Sequence, residues 1–82
     1  MVEVKLFASL RTAAGEKGFL TDAASVGELL REAAERYGED FAKRLQIATV
    51  LVNGKNIAHL RWKRTRLKDG DVVSLFPPLA GG

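Results

Sequence analysis

Cysteine is absent from this chain. That excludes a disulfide framework, a thiolate metal site and a thiol nucleophile. Folding has to rest on an apolar core. The single histidine, His59, excludes a histidine-rich metal cluster, so no metal site is expected. Apolar runs are a few residues long, far short of the ~20 needed to cross a bilayer. The opening, "MVEVKLFASL", lacks a basic segment followed by a long apolar stretch and does not read as a signal peptide. A cytoplasmic protein with no membrane partner is expected. Its 82 residues suit one small domain, burying roughly 60–65% of its unfolded surface.

Catalytic constellations are also missing. Ser9, Ser25 and Ser74 stand in no nucleophile-elbow context. The eight glycines form no phosphate-binding G-x-x-x-x-G-K pattern. Asp69 and Asp71 flank Gly70, a placement that turns routinely recruit. The chain does not read as an enzyme on its own, and no bound cofactor is expected.

Charge is concentrated rather than large. The net charge is +3, but "HLRWKRTRLK" (59–68) carries five Lys or Arg and no acid. Such a run is either a solvated loop or a surface for an acidic partner. One aromatic, Trp62, and no recognised motif argue against nucleic acid.

The remaining sequence is well patterned. In "VEVKLFA" (2–8), Val2, Val4 and Leu6 alternate with Glu3, Lys5 and Phe7, as in a half-buried strand. "SLRTAAGEKG" has room for a helical turn at 10–14 and a break at Gly15, and "GFLTD" (18–22) reads as a short strand. From Val26 to Tyr37, apolar residues at 26, 29, 30, 33, 34 and 37 form one helical stripe. Ser25 and Glu28 make a capping box. Arg31–Glu35 and Glu32–Arg36 are expected i,i+4 pairs, and Gly38 a left-handed terminator. "EDFAKRL" (39–45) holds another helical turn anchored by Phe41 and Leu45. "IATVLVNGKNI" (47–57) reads as a hairpin around Asn53–Gly54. After a turn at Asp69–Asp71 comes a strand, 72–76, with Val73 and Leu75 on one side.

One main amphipathic helix has to bury its stripe against a sheet, giving a two-layer α+β domain. The element order is that of a β-grasp, in which the first and last strands pair centrally and in parallel in a mixed sheet. Residues 1–76 form the domain and 77–82 a flexible tail.

Two features remain. Phe7, Leu51, Val72 and Phe76 fall opposite the helix, and the pairing of first and last strands would gather Phe7 and Phe76 into a patch suited to a partner. Then comes "FPPLAGG" (76–82). Pro77–Pro78 ends the strand and sets an extended exit. Six residues from there reach at most roughly 20 Å. Side-chain-free glycines pass a narrow channel. A partner enzyme could adenylate the terminal carboxylate with ATP, and a sulfur or amine nucleophile could then take the acyl group.

With these residues in view, the chain resembles the MoaD/ThiS family of ubiquitin-like sulfur carriers, and within it the MoaD branch, the small subunits of molybdopterin synthase. "VKLFASLRTAAG", "VLVNGKNI" and above all "LKDGDVVSLFPPLAGG" carry the resemblance, which spans essentially the whole chain. It implies a β-grasp fold. It implies that a MoeB-like adenylyltransferase uses ATP to adenylate Gly82, which then carries a thiocarboxylate. It implies that Pro77, Pro78, Leu79, Ala80 and Gly81 insert with it into a MoaE-like large subunit, delivering sulfur to precursor Z. Phe7 and Phe76 match the family's apolar docking face, and Arg11 an arginine near the tail's exit. One stretch departs from the pattern: "RWKR" (61–64) is more charged than the family's usual loop, and fits as well a different acceptor, in tRNA thiolation or tungsten-cofactor synthesis. The same tail suits a ubiquitin-like modifier joined to lysines or a carrier for thiamine synthesis; with an inert tail the chain would be a plain ubiquitin-like binding module.

Overall fold

The computed structural model describes residues 1–78. Its elements are β1 (Val2–Leu6), α1 (Ala8–Ala14), β2 (Gly18–Thr21), α2 (Val26–Tyr37), α3 (Glu39–Leu45), β3 (Thr49–Val52), β4 (Lys55–Asn56) and β5 (Val72–Phe76). Two short 3-10 turns, Ile57–His59 and Trp62–Arg64, lie between β4 and β5.

The strands form one mixed sheet in the order β2-β1-β5-β3-β4. β1 and β5 run parallel at its centre, with Val4 beside Val73 and Leu6 beside Leu75. Every other pairing is antiparallel. This is the β-grasp arrangement expected from the order of elements. Period-2 alternation places Val2, Val4, Leu6, Val50, Val52, Val73 and Leu75 in the core. Val26, Leu29 and Ala33 of α2 pack there with Leu10 of α1 and Phe41 and Leu45 of α3. The described residues thus hold three helices beside the sheet, of which α2 is the longest.

Local details differ from expectation in instructive ways. Ser25 caps α2, its Oγ accepting from the Glu28 N–H at 3.2 Å. The Glu28 carboxylate, however, accepts from Ala24 at 2.7 Å, one residue before the cap. Neither expected i,i+4 pair of α2 closes among the described residues. Glu32 accepts instead from the buried Thr21 hydroxyl at 2.5 Å. Arg36 lies over the Phe19 ring at 4.8 Å and 4.0 Å from Glu16. Tertiary partners outbid a helix pair worth only about 0.3–0.5 kcal/mol. Gly38 has a positive φ of 92° but an extended ψ of −173°, so it is not a left-handed terminator. It serves two helices: its N–H donates to Ala34 and its carbonyl accepts from Ala42, each at 3.0 Å.

The hairpin turn is the one its Asn-Gly pair calls for. Asn53 and Gly54 both have positive φ, 50° and 87°, as a type I′ turn requires. Asn53 also reaches the turn before β5, donating to Asp71 at 3.0 Å and accepting from Val72 at 2.9 Å. Asp71 is buried and accepts a second bond, from the Lys68 N–H at 2.9 Å. Asp69 instead pairs with the amino group of Met1. The two aspartates are therefore turn and terminus residues, not a carboxylate pair.

These bonds, Asn53 first and then the Lys68 N–H, favour ionised Asp71 and hold its carboxyl below the ordinary value of 3.8. The stabilisation is present above that ordinary value and is lost as pH falls through the depressed folded one. Asp71→Asn is expected to lower stability by about 1–2 kcal/mol at neutral pH. Urea denaturation across pH should show the gap to the parent protein closing in acid. A gap that stays constant would mean that the charge on Asp71 contributes nothing.

Candidate functional site: the outer sheet face and the start of the tail

The sheet face away from the helices is built by the strand register. On β1 it carries Glu3 and Lys5, on β5 Val72, Ser74 and Phe76, and on β3 Thr49 and Leu51. Phe7 follows β1 directly. Its N–H donates to the Leu75 carbonyl at 3.1 Å, so it extends the parallel ladder by one residue. That brings its ring onto Phe76: the centroids are 4.4 Å apart and the planes 9° from parallel. Both rings remain half-buried. Stacked aromatics with one face left to solvent are large, rigid contact area at little entropic cost.

The geometry beside Phe7 has a local cause. Ala8 adopts φ 51° without being glycine, a conformation costing about 1–2 kcal/mol. The chain thereby leaves the sheet at once. Leu10, two residues on, is fully buried in the core, while Phe7 stays on the outer face. Arg11 sits one turn into α1. Its Nε donates to the Leu6 carbonyl at 3.3 Å, and its guanidinium carbon lies 5.9 Å from the Phe7 ring centre. A cation is thus fixed next to the aromatic pair.

Leu51 lies opposite Ser74, and Val72 and Phe76 flank Ser74 along β5. The three apolar side chains are therefore diagonal neighbours across two strands. All five residues expected at an interface, Phe7, Arg11, Leu51, Val72 and Phe76, share this face or its edge. The sequence reading missed Leu20. It lies on β2 opposite Glu3 of β1 and is 58% exposed. The alternation within "GFLTD", with Phe19 buried, was the signal for it. Gly18, beside Lys5, permits the close approach of β2: a Cβ there would meet the Val4 carbonyl oxygen at 2.0 Å. Between these strands lies a groove of about 460 Å³, reaching from Leu20 to Phe7 and Arg11.

β5 runs straight into Pro77 and Pro78, both half-buried. The expectations for Leu79, Ala80, Gly81 and Gly82 lie outside the described residues. Among the described residues no group of three potential metal ligands comes together, and no helix is long and apolar enough to cross a membrane. His59 is exposed on a 3-10 turn.

Known proteins match this chain along its whole length. The sequence profile described as the ThiS family matches residues 4–82. Small archaeal modifier protein 3 of Haloferax volcanii is 38% identical, over 99% of this chain and 98% of its own. The solution structure of small archaeal modifier protein 1 from Methanosarcina acetivorans superposes with a TM-score of 0.84 at 33% identity, over 99% of this chain and 95% of that one. A chain of the complex of subunits 1 and 2 of molybdopterin-converting factor from Helicobacter pylori matches with a TM-score of 0.71, also at 33% identity, over 99% and 97%. The β-grasp sheet and this match together give one conclusion: the chain belongs to the ThiS family of ubiquitin-like sulfur carriers.

Proposed function

We propose that the chain carries sulfur as a thiocarboxylate on Gly82 and delivers it as the small subunit of a molybdopterin synthase. The observation that supports this most is the continuity of the outer face with the tail. Phe76 is stacked on Phe7 and is followed at once by Pro77–Pro78. An enzyme gripping the aromatic pair therefore holds the root of the segment that leads to Gly82. The similarity to one chain of the molybdopterin-converting factor complex points the same way, with a MoaE-like large subunit as partner.

The chemistry follows from the carboxylate. As it stands it is a poor electrophile. In the active site of a MoeB-like enzyme, one carboxylate oxygen attacks the α-phosphorus of ATP and pyrophosphate leaves. Hydrosulfide attacks the acyl carbon, AMP leaves with the oxygen, and the thiocarboxylate remains. The domain contributes docking and reach, and the partner contributes catalysis.

A second reading is favoured by the 38% identity to small archaeal modifier protein 3. There a lysine amine replaces hydrosulfide, and an isopeptide bond forms. The two readings share the adenylate and part at the nucleophile. The test is the intact mass of the protein after incubation with ATP, the adenylyltransferase and sulfide. A gain equal to sulfur minus oxygen is expected, followed by return to the original mass when the large subunit and precursor Z are added. No gain would overturn sulfur carriage. A gain that precursor Z cannot discharge would overturn the molybdopterin assignment. Lysines bearing a Gly-Gly remnant in digests of the source cells would establish the modifier reading.

A further inference from the structure

The basic segment is not a loose loop. Backbone bonds tie it to the start of α2: Val26 donates to the Thr65 carbonyl at 3.0 Å, and Leu67 to the Ala24 carbonyl at 2.9 Å. The Thr65 hydroxyl, in a buried residue, accepts from the Arg61 N–H at 3.0 Å. Gly27 lets α2 approach this segment, since a Cβ there would lie 3.2 Å from the Lys63 carbonyl oxygen. Such anchoring displays the side chains of 61–66 in fixed positions.

Trp62 is held outward by this frame. It is 62% exposed and has φ 52°, in the left-handed region that a bulky residue seldom enters. Among the described residues no guanidinium covers its ring. The indole is the wall shared by two grooves. On one side is a groove of about 700 Å³ whose apolar part is formed by Leu30, Ala34, Leu45, Val50 and Ile57, with Arg31 and Lys63 also lining it. On the other is a groove of about 610 Å³ formed with Arg61, Arg64 and Arg66. Neither has a carboxylate in its lining. None of these five cations is in an ion pair among the described residues.

We propose that this face, separate from the outer sheet face, binds an acidic amphipathic segment of a partner protein. The apolar groove takes the hydrophobic side chains, Trp62 is the anchor, and the cations of both grooves meet the carboxylates. The apolar floor decides against nucleic acid, which would use the cations and the indole but leave the partly exposed Leu30, Ala34 and Ala48 uncovered. The proposal is independent of the tail chemistry.

Trp62 is the only tryptophan and so reports its own contacts. The probe is a synthetic helical peptide with Leu and Phe at i, i+3, i+4 and i+7 and Glu and Asp elsewhere, lacking Trp and Tyr. Its addition to the full chain is expected to shift the tryptophan emission to the blue, saturably. A scramble of the same composition should bind at least about 10-fold more weakly, because the apolar stripe is lost. By anisotropy of labelled peptide, Trp62→Ala should weaken binding about 30-fold. Arg31→Glu with Lys63→Glu should weaken it about 10-fold, while Lys55→Glu, on the hairpin, should not. The charge variants keep the test decisive if Trp62→Ala fails to fold by far-UV circular dichroism. No emission shift, equal binding of the scramble, or tighter binding of oligouridylate than of the peptide would each overturn the proposal.

Discussion

Removing Gly82, or adding one residue after it, is expected to abolish formation of the thiocarboxylate. The reason is reach. One residue moves the terminal carboxylate by roughly 3.3–3.6 Å along an extended chain. A misplacement of about 1 Å at a reacting centre already costs ~100-fold in rate. The altered chains should therefore fall at least about 100-fold, below detection by intact mass. The adenylyltransferase still docks, because docking is assigned to Phe7 and Phe76, which neither change touches. Folding should be unchanged, since the core residues run from Val2 to Leu75. Thermal unfolding checks that point independently. A truncated chain that still gains sulfur at the parent rate would remove Gly82 from the mechanism.

Gly82→Ala separates length from shape. The carboxylate keeps its distance from Pro78, but a Cβ is added beside the acyl carbon and positive φ becomes costly. A loss intermediate between the parent and the truncated chain is expected. It would show that the enzyme pocket selects glycine for clearance as well as for reach.

Much of the fold was legible because its signals are periodic. The stripe from Val26 to Tyr37 gave a helix with those same bounds, and the alternation of Val73 and Leu75 gave β5 its buried side. Asn53–Gly54 specified a turn that few other pairs satisfy. The outer face was legible for the same reason: with β1 and β5 paired in parallel, Phe7 and Phe76 had to be neighbours.

What escaped was set by contacts distant in sequence. Arg36 was read as a partner for Glu32, four residues away. The fold offers it Phe19 and Glu16 instead, and gives Glu32 the Thr21 hydroxyl. The segment from His59 to Lys68 has no periodicity and reads as a charged loop. Its order comes from backbone bonds to Ala24 and Val26, partners no local pattern reveals. Trp62 consequently looked like an isolated aromatic in a basic run, not the ridge between two grooves. Positive φ at Ala8 is equally invisible, since nothing about alanine announces it.

Charge placed on the aromatic pair is expected to cost more binding than any other single change to the outer sheet face. Phe7→Asp or Phe76→Asp should weaken binding to the adenylyltransferase by at least about 2 kcal/mol, roughly 30-fold. Two effects act together. The stack at 4.4 Å is lost, and with it the rigid apolar area. A carboxylate is then desolvated against whatever apolar surface had received the ring. Because each ring is half-exposed in the free protein, the cost falls mainly on the complex and less on the fold. Urea denaturation should show a smaller loss of stability than the loss in binding. Ser74→Ala, on the same face between Val72 and Phe76, changes little apolar area and should leave affinity within a few-fold. Calorimetric titration of each variant into the partner reads these differences directly. The substitution should also slow sulfur loading at limiting enzyme concentration and much less at saturation, because the carboxylate itself is untouched. A Phe7→Asp protein that binds and loads like its parent would show that partners grip this domain elsewhere.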